Sequence, residues 1–579
     1  MNERRPTPLL RAWVLTDAQR FLLLAVLIGV STGLLVVCFH TSIELIDFSV
    51  HDTGTAPLMR VLWPALGAAA AALIVRVIPA SAGSGIVQTK SALYVSNGHI
   101  SFAAVPGKFA ACALSIGTGT PLGPEDPALL MGAGIASRLG RVFNLSQRSM
   151  RLIAPTGAAA GIAAAFNTPI TGVLFVMEEV VAGFDAAVMG SIVLAAVSSV
   201  VTSRLFLGDS PLFSAPEVVA IGGWRALLSY VVLGVTAGLF ATTYVRVMTL
   251  LRYRLGAIHL PPLVGPLCAG LMVGAVGLVW PDVLGTGYRA MDAALHNQYA
   301  WSTMAMLAVV KMLVSGVAFG AGTPGGLFAP TLFLGVMLGG AFGGLAPGWL
   351  PVAAGPQGTL VLAGMAAMFA GVFRAPMTAV FMAFELSGTA ESIVPAMITA
   401  TLAFLVARQL HRQSILDVVA EHEGAVLPSA RLVRPDAPLH VEDAATPVSD
   451  HVLVVNTTWS APEALAHIQS SSAESALVFG ANGRWMLLDV AALRSAMADE
   501  QAWEAFKTGS APSVDGRPLE YRNVEPVYPD EWLDVALRQL ARAPVVPVIS
   551  RLDHRHLLGV VTGDDVRRAY GFERASPPA

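Results

Sequence analysis

The chain has 579 residues, 54% of them apolar and only 13% charged, with a net charge of −3. Its mean hydropathy is +0.63, whereas water-soluble domains carry roughly 25% charged residues. This excludes a chain lying wholly in water, and no nucleic-acid partner is expected.

In chain order, Arg4, Arg5 and Arg11 precede a first apolar stretch, Phe21–Phe39. It lacks an evident small-residue cleavage site and further apolar stretches follow, so it is read as a retained helix rather than a signal peptide. Ile192–Val201, Leu227–Val245, Leu263–Val279 and Ile393–Val406 continue the pattern. Several are shorter than the roughly 20 residues a spanning helix needs, and Gly and Pro interrupt them. Irregular backbone survives in lipid only where it is packed in protein or lines a polar cavity. Broken helices therefore point to a transport path rather than an anchor. Beyond about Val406, acids, bases and prolines return, as expected for a membrane domain followed by a soluble one. Arg138, Arg141, Arg148 and Arg151 are read as one loop and Arg246, Arg252 and Arg254 as another, with Arg408 and Arg412 closing the apolar region, and these basic segments are placed on the cytoplasmic side. The soluble tail is then cytoplasmic as well. Cys38, Cys112 and Cys268 lack metal-ligand spacing and are expected to be buried packing residues; no metal site is expected.

The apolar region resembles itself. Phe166-Asn-Thr-Pro-Ile-Thr-Gly-Val leads to Glu178, and Phe373-Arg-Ala-Pro-Met-Thr-Ala-Val, 207 positions later, leads to Glu385. Upstream, Gly119-Thr-Pro and Gly322-Thr-Pro open two segments that share G-T-P-x-G-x-x-x-P-x-L-x-x-G, 203 positions apart. Secondary transporters are often built from two such halves, with substrate held where paired broken helices meet.

Each repeated block is a Gly/Pro-rich turn leading into a helix. A helix N-terminus offers unpaired N–H groups and a partial positive charge, so it can hold an anion without a buried cation. Gly83-Ser84-Gly85-Ile86 is a third such turn, with the Ser84 hydroxyl as an added donor. One turn of this kind reads as an ordinary helix cap. Three, two of them repeat-related, read as an anion site.

Ionisable residues at membrane depth are costly and usually functional. Glu125 falls inside the first turn, where an ionised carboxylate would compete with an anion and vacate the site on protonation. Glu178 and Glu385 are repeat mates, which points to a shared structural role. Glu179 faces Leu386 in the repeat, so proton handling is the more fitting role there.

These motifs resemble those of the CLC family of chloride channels and proton–chloride exchangers. Gly83-Ser84-Gly85-Ile86-Val87 resembles the family's G-S-G-I-P, whose serine helps bind the central anion. Gly123-Pro124-Glu125-Asp126-Pro127 resembles G-[KR]-E-G-P, which puts Glu125 at the gating glutamate. Gly326-Leu327-Phe328-Ala329-Pro330 resembles G-x-F-x-P, whose amides at Leu327 and Phe328 line the anion site. Glu179 falls where proton-coupled exchangers carry an inner glutamate. The resemblance implies an all-α polytopic membrane domain of two related halves over residues 1–415 and a homodimer with one path per subunit; scarce Lys beside abundant Arg and Ala points to a bacterial source and so to a bacterial inner membrane. Its substrates would be chloride and protons, with no enzymatic activity. The implied anion contacts are Ser84, Gly85, Ile86, Gly123, Leu327, Phe328 and Leu416. Pro124 removes a cation and a backbone donor, Asp126 adds a negative charge beside Glu125, and Leu416 stands where the family usually has an anion-binding tyrosine. A passive chloride channel without proton coupling is the alternative.

After a linker over 416–450, residues 451–579 hold two units of similar order, about 452–497 and 524–570. Each has a strand, a helix, a strand pair and a closing helix, the first hairpin turning at Asn482-Gly483. The pair resembles tandem CBS domains, an α/β fold. Gly559-Val-Val-Thr562-Gly-Asp-Asp565 resembles the segment in which some CBS pairs contact adenine nucleotide, through Thr562 and Asp565; the first unit lacks a comparable T-x-x-D. No other cofactor is expected. An intramembrane metalloprotease would need H-E-x-x-H, and His422-Glu423-Gly-Ala-Val426 lacks its second histidine. A divalent-cation channel would need converging oxygen ligands, where the turns present amide donors.

Overall fold

The computed structural model describes residues 17–51, 56–181, 186–213, 224–258, 261–345, 357–423 and 439–569. Excepted within these ranges are 95, 97, 146, 448–451, 456–459, 471–472, 474, 480–482, 498–512, 515–516, 519–520 and 552. Arg4, Arg5, Arg11 and Asn482 lie outside the described residues. The chain divides into two compact units, Met1–Leu427 and Pro428–Ala579.

The first unit is helical. Its elements are α1 Asp17–His51, α2 Pro57–Val77, α3 Gly85–Tyr94, α4 Ala104–Gly117, α5 Glu125–Val142, α6 Gln147–Phe166 and α7 Pro169–Phe175. A π-helical turn, Val176–Val180, follows α7. Then come α8 Ala186–Leu207, α9 Trp224–Ala257, α10 Val264–Val279, α11 Tyr288–Leu295, α12 Trp301–Gly320, α13 Phe328–Leu345, α14 Gln357–Phe373, α15 Pro376–Ser387, α16 Ile393–Leu410 and α17 Ile415–His422. Among the described residues, seven helices are long and apolar enough to cross a membrane, and Gly–Pro breaks leave shorter apolar ones between them. The chain is a multi-pass membrane protein. Phe21–Phe39 lies within one unbroken helix, α1.

Leu22, Leu23, Val26, Leu27, Val30 and Leu34 are exposed on α1, and similar rows run along α8 and α9. In lipid such faces need no polar cover. The inner helices α5, α6, α13 and α14 are nearly all buried. They cross on glycine: a Cβ on Gly132 would lie 2.2 Å from the Gly157 carbonyl oxygen, and one on Gly335 would lie 2.6 Å from that of Gly364. Gly132 and Gly335 end the two G-T-P blocks, so the repeat includes its own close helix crossing.

The halves are inverted where their equivalent segments can be compared directly. Glu385, near the end of α15, accepts from Ile170 N, Thr171 N and Thr171 Oγ1 at 2.7–2.9 Å, at the start of α7. Glu178, just past α7, accepts from Met377 N, Thr378 N and Thr378 Oγ1 at 2.7–3.2 Å, at the start of α15. Each segment's end meets the other's beginning, so α7 and α15 run antiparallel. The shared structural role expected for the two glutamates is mutual N-terminal capping.

Three sequence expectations are corrected. Only Cys112 is buried; Cys38 and Cys268 are exposed on apolar helix surfaces. The basic clusters belong to helices rather than loops, Arg246, Arg252 and Arg254 lying in α9. The segment 416–450 is divided: α17 belongs to the first unit, while a short helix α18, Val441–Ala444, bonds to Pro529 and Glu531 of the second.

In the second unit, β1 Val452–Val455, α19 Ala461–Ser470, β2 Ser475–Phe479, β3 Trp485–Asp489 and α20 Val490–Met497 follow the expected order. Gly483, between β2 and β3, takes φ +74°, which glycine adopts without strain. After a two-residue ladder, β4 Ser513–Val514 with β5 Arg517–Pro518, come β6 Arg522–Val524, α21 Leu533–Leu540, β7 Val545–Ile549, β8 Leu557–Thr562 and α22 Gly563–Ala569. The strand ending at Val524 joins the first sheet, in order β1-β2-β3-β6, and β7 pairs with β8 alone.

Candidate functional site

Three turns meet inside the first unit. Gly123 and Gly326, equivalent positions of the two G-T-P blocks, exchange backbone hydrogen bonds at 2.8 Å in both directions. The starts of α5 and α13 are thereby held face to face. The third turn closes on them: a Cβ on Gly85 would lie 2.1 Å from the Asp126 carbonyl oxygen. Ser84, Gly85, Ile86, Glu125, Leu327 and Phe328 are all buried around this junction.

Carboxylates occupy it. Glu125 is fully buried, and its Oε1 accepts from the Tyr288 hydroxyl. Oε2 has no hydrogen-bond partner and lies against Gly123, where a Cβ would sit only 2.1 Å away and 3.0 Å from the Ala329 amide. Asp126 Oδ2 accepts from the Leu327 amide at 3.3 Å. At the third turn, the Ser84 amide donates to Glu423 Oε1 at 2.8 Å, while the Ser84 hydroxyl is buried without a partner.

Phe328 roofs the junction. Its ring stacks on Phe373 at 4.6 Å and meets Phe166 edge-on at 6.0 Å, so the repeat-related phenylalanines pack on the residue between the halves. Leu416 is buried in the apolar core from α17 and carries no donor. Gly123 departs from expectation: its N–H is spent on Gly326 and is not free for an anion.

Two buried lysines brace the turns. Lys108 Nζ donates to the carbonyls of Ser81 and Gly83, ahead of α3. Lys311 Nζ donates to those of Val283 and Gly285 at 2.8 and 2.7 Å, ahead of α11. The lysines stand 203 positions apart, like the G-T-P blocks. Their turns form a third repeat pair, Gly83-Ser-Gly-Ile86 with Gly285-Thr-Gly-Tyr288. Tyr288 is thus the counterpart of Ile86, a residue sequence reasoning missed although the common offset pointed to it. Glu179, on the π turn, pairs with Lys90 of α3, both side chains being about one-tenth exposed.

In the second unit, Asp565 Oδ2 accepts from Thr562 N and Oγ1 at 3.0 and 2.6 Å, and its Oδ1 from Arg568 at 3.4 Å. Oδ2 thus belongs to the cap at the start of α22, completed by Asp565 N donating to Thr562 Oγ1 at 3.3 Å, while Oδ1 pairs with Arg568. A separate cavity of about 380 Å³ is lined by Arg484, Trp485, Asn523, Glu525, Arg542 and His554.

Inverted halves with helix starts gathered around a buried carboxylate define a membrane transport protein of the broken-helix class. Residues 66–408 match the model of the voltage gated chloride channel family, and the chain belongs to that family. It is 28% identical over 447 residues to the H(+)/Cl(−) exchange transporter ClcA of Salmonella arizonae, covering 74% of this chain and 92% of that one. A slow cyanobacterial Cl−/H+ antiporter of known structure superposes with a TM-score of 0.63 at 26% identity, over 70% of this chain and 98% of its own. A eukaryotic CLC transporter, at 18% identity, shares the fold over 94% of this chain and 98% of its own, with a TM-score of 0.62.

Proposed function

We propose that the protein exchanges chloride for protons across the membrane, with Glu125 as the gate. The observation that carries this is the junction itself: a fully buried carboxylate lies where two repeat-related helix starts are pinned together, within reach of the Ala329 amide. An ionised Glu125 and a chloride ion are rivals for the same amide-rich space. Protonation removes the charge that holds the carboxylate there, the side chain leaves, and an anion takes its place against Leu327 and Phe328. Deprotonation reverses the exchange. Ser84 supplies the inner hydroxyl, and Glu179 passes protons between Glu125 and the cytoplasm. The relatives named as exchange transporters and antiporters support this reading.

The Lys90–Glu179 pair favours a second reading, a passive chloride conductor. A carboxylate neutralised by a fixed ammonium is a poor proton carrier. Purified protein in vesicles loaded with chloride separates the two. Chloride running down its gradient drives protons against theirs in an exchanger and moves none in a conductor.

The second unit is read as a CBS pair on the cytoplasmic side, and the protein as a homodimer with one path per subunit. The strand–helix–hairpin–helix order supports the tail assignment. Nucleotide at Thr562 and Asp565 would require the cap to open. A rise in the tail's melting temperature with added adenosine nucleotide, lost in Asp565→Ala, tests it.

A further inference from the structure

We propose that Glu423 is a second gate, an inner carboxylate that occupies the anion position at the start of α3 and must leave before an anion can pass. The inference rests on the anion path through Ser84 put forward above.

The residue ends α17 at the point from which the chain continues toward the tail. Its carboxylate reaches 339 positions back to accept the Ser84 amide at 2.8 Å. It lies flat on the turn: a Cβ on Gly83 would stand 2.7 Å from Oε1 and 2.9 Å from Oε2. Gly83 takes φ +74°, a conformation that favours glycine. The first helix-end donor of α3 is therefore filled by the protein's own anion.

Three further observations separate a movable gate from a fixed cap. The Ser84 hydroxyl, in a residue 6% exposed, is buried at this turn with no partner, so a donor is left over that the carboxylate does not use. A buried donor without an acceptor is costly, and a halide seated at the turn would engage it. Lys108 binds the turn's carbonyls from behind, fixing its shape while adding positive charge. Finally, a landing place exists. Arg252 acts electrostatically on Glu423 together with Lys108, and its buried Nε has no hydrogen-bond partner. The guanidinium lies over the Phe319 ring at 4.7 Å and borders a cavity of about 330 Å³ shared with Gly256, Gly320 and His422. Glu423 thus holds the Ser84 amide with Arg252 near enough to act on it electrostatically as a second anchor, and an incoming chloride decides between them.

The test is chloride efflux and chloride binding by the full-length protein, comparing wild type with Glu423→Gln. The glutamine keeps length and a carbonyl acceptor but loses the charge. Chloride should bind about tenfold more tightly, the worth of one charge-assisted hydrogen bond given up by the rival. Initial efflux should rise when chloride is limiting on the cytoplasmic side and change little when it is limiting on the other. Should Glu423→Gln fold poorly, Arg252→Met serves instead: it removes the landing site, holds Glu423 on Ser84, and should slow efflux several-fold. Equal affinity and efflux in wild type and Glu423→Gln would overturn the inner gate while leaving chloride transport intact. Absence of chloride flux from every form would instead overturn the anion path itself.

Discussion

Glu178 and Glu385 each cap the start of the helix that leads to the other, at 2.7–3.2 Å and through the same three groups, two amides and a threonine hydroxyl. The contact ties the two halves together as an inverted pair rather than serving either half alone. Glu385→Ala should therefore lower stability by about 1.5–3 kcal/mol, the cost of hydrogen bonds to a charged group, and Glu178→Ala by a similar amount. Thermal melting in detergent reads both. Glu385→Gln should recover part of the loss, since its amide oxygen still accepts.

Tyr288 anchors Glu125 in the filled position through its hydroxyl. Removing that bond in Tyr288→Phe favours the vacated position by about 1 kcal/mol, so chloride flux in vesicles should rise about fivefold with proton coupling retained. Unchanged flux would mean that the phenol does not hold the gate.

Gly123 leaves no room for a side chain, since a Cβ would fall 2.1 Å from Glu125 Oε2. Gly123→Ala should expel the carboxylate from the junction. Like Glu125→Gln, which removes its charge, it should leave chloride flux without proton pumping.

The Lys90–Glu179 pair is buried to about nine-tenths on both sides. Lys90→Met strands a carboxylate in an apolar surrounding and should cost roughly 3 kcal/mol. Adding Glu179→Gln should return most of it. A melting-temperature cycle over the four proteins measures the coupling.

Much of this arrangement was legible in the sequence because the halves repeat. The G-T-P blocks and the Phe–Pro–Thr–Glu blocks located the junction, and the duplicated glutamate correctly implied a structural rather than a chemical role. The third repeat pair escaped notice because Gly83-Ser-Gly-Ile86 and Gly285-Thr-Gly-Tyr288 share only two glycines, too few to stand out except through their 202-residue offset. Lys90 and Glu423 left no local signal: they reach their partners across 89 and 339 positions, and only tertiary packing sets such contacts. Gly123 is an anion contact only by the family resemblance, and its bridge to Gly326 becomes visible only once both turns are in place. The division of 416–450 follows from α17's capping box, in which Ser414 and Asp417 bond reciprocally. That pattern was present in the sequence but was masked by the polar composition around it.

The central claim is that chloride and protons move together through the site gated by Glu125. The most direct measurement is the reversal potential of the reconstituted protein with equal chloride on both sides and a pH gradient across the membrane. Coupled exchange predicts a potential displaced from zero that reverses sign with the gradient and disappears in Glu125→Gln. A reversal potential of zero in the wild-type protein, at measurable chloride current, would contradict it.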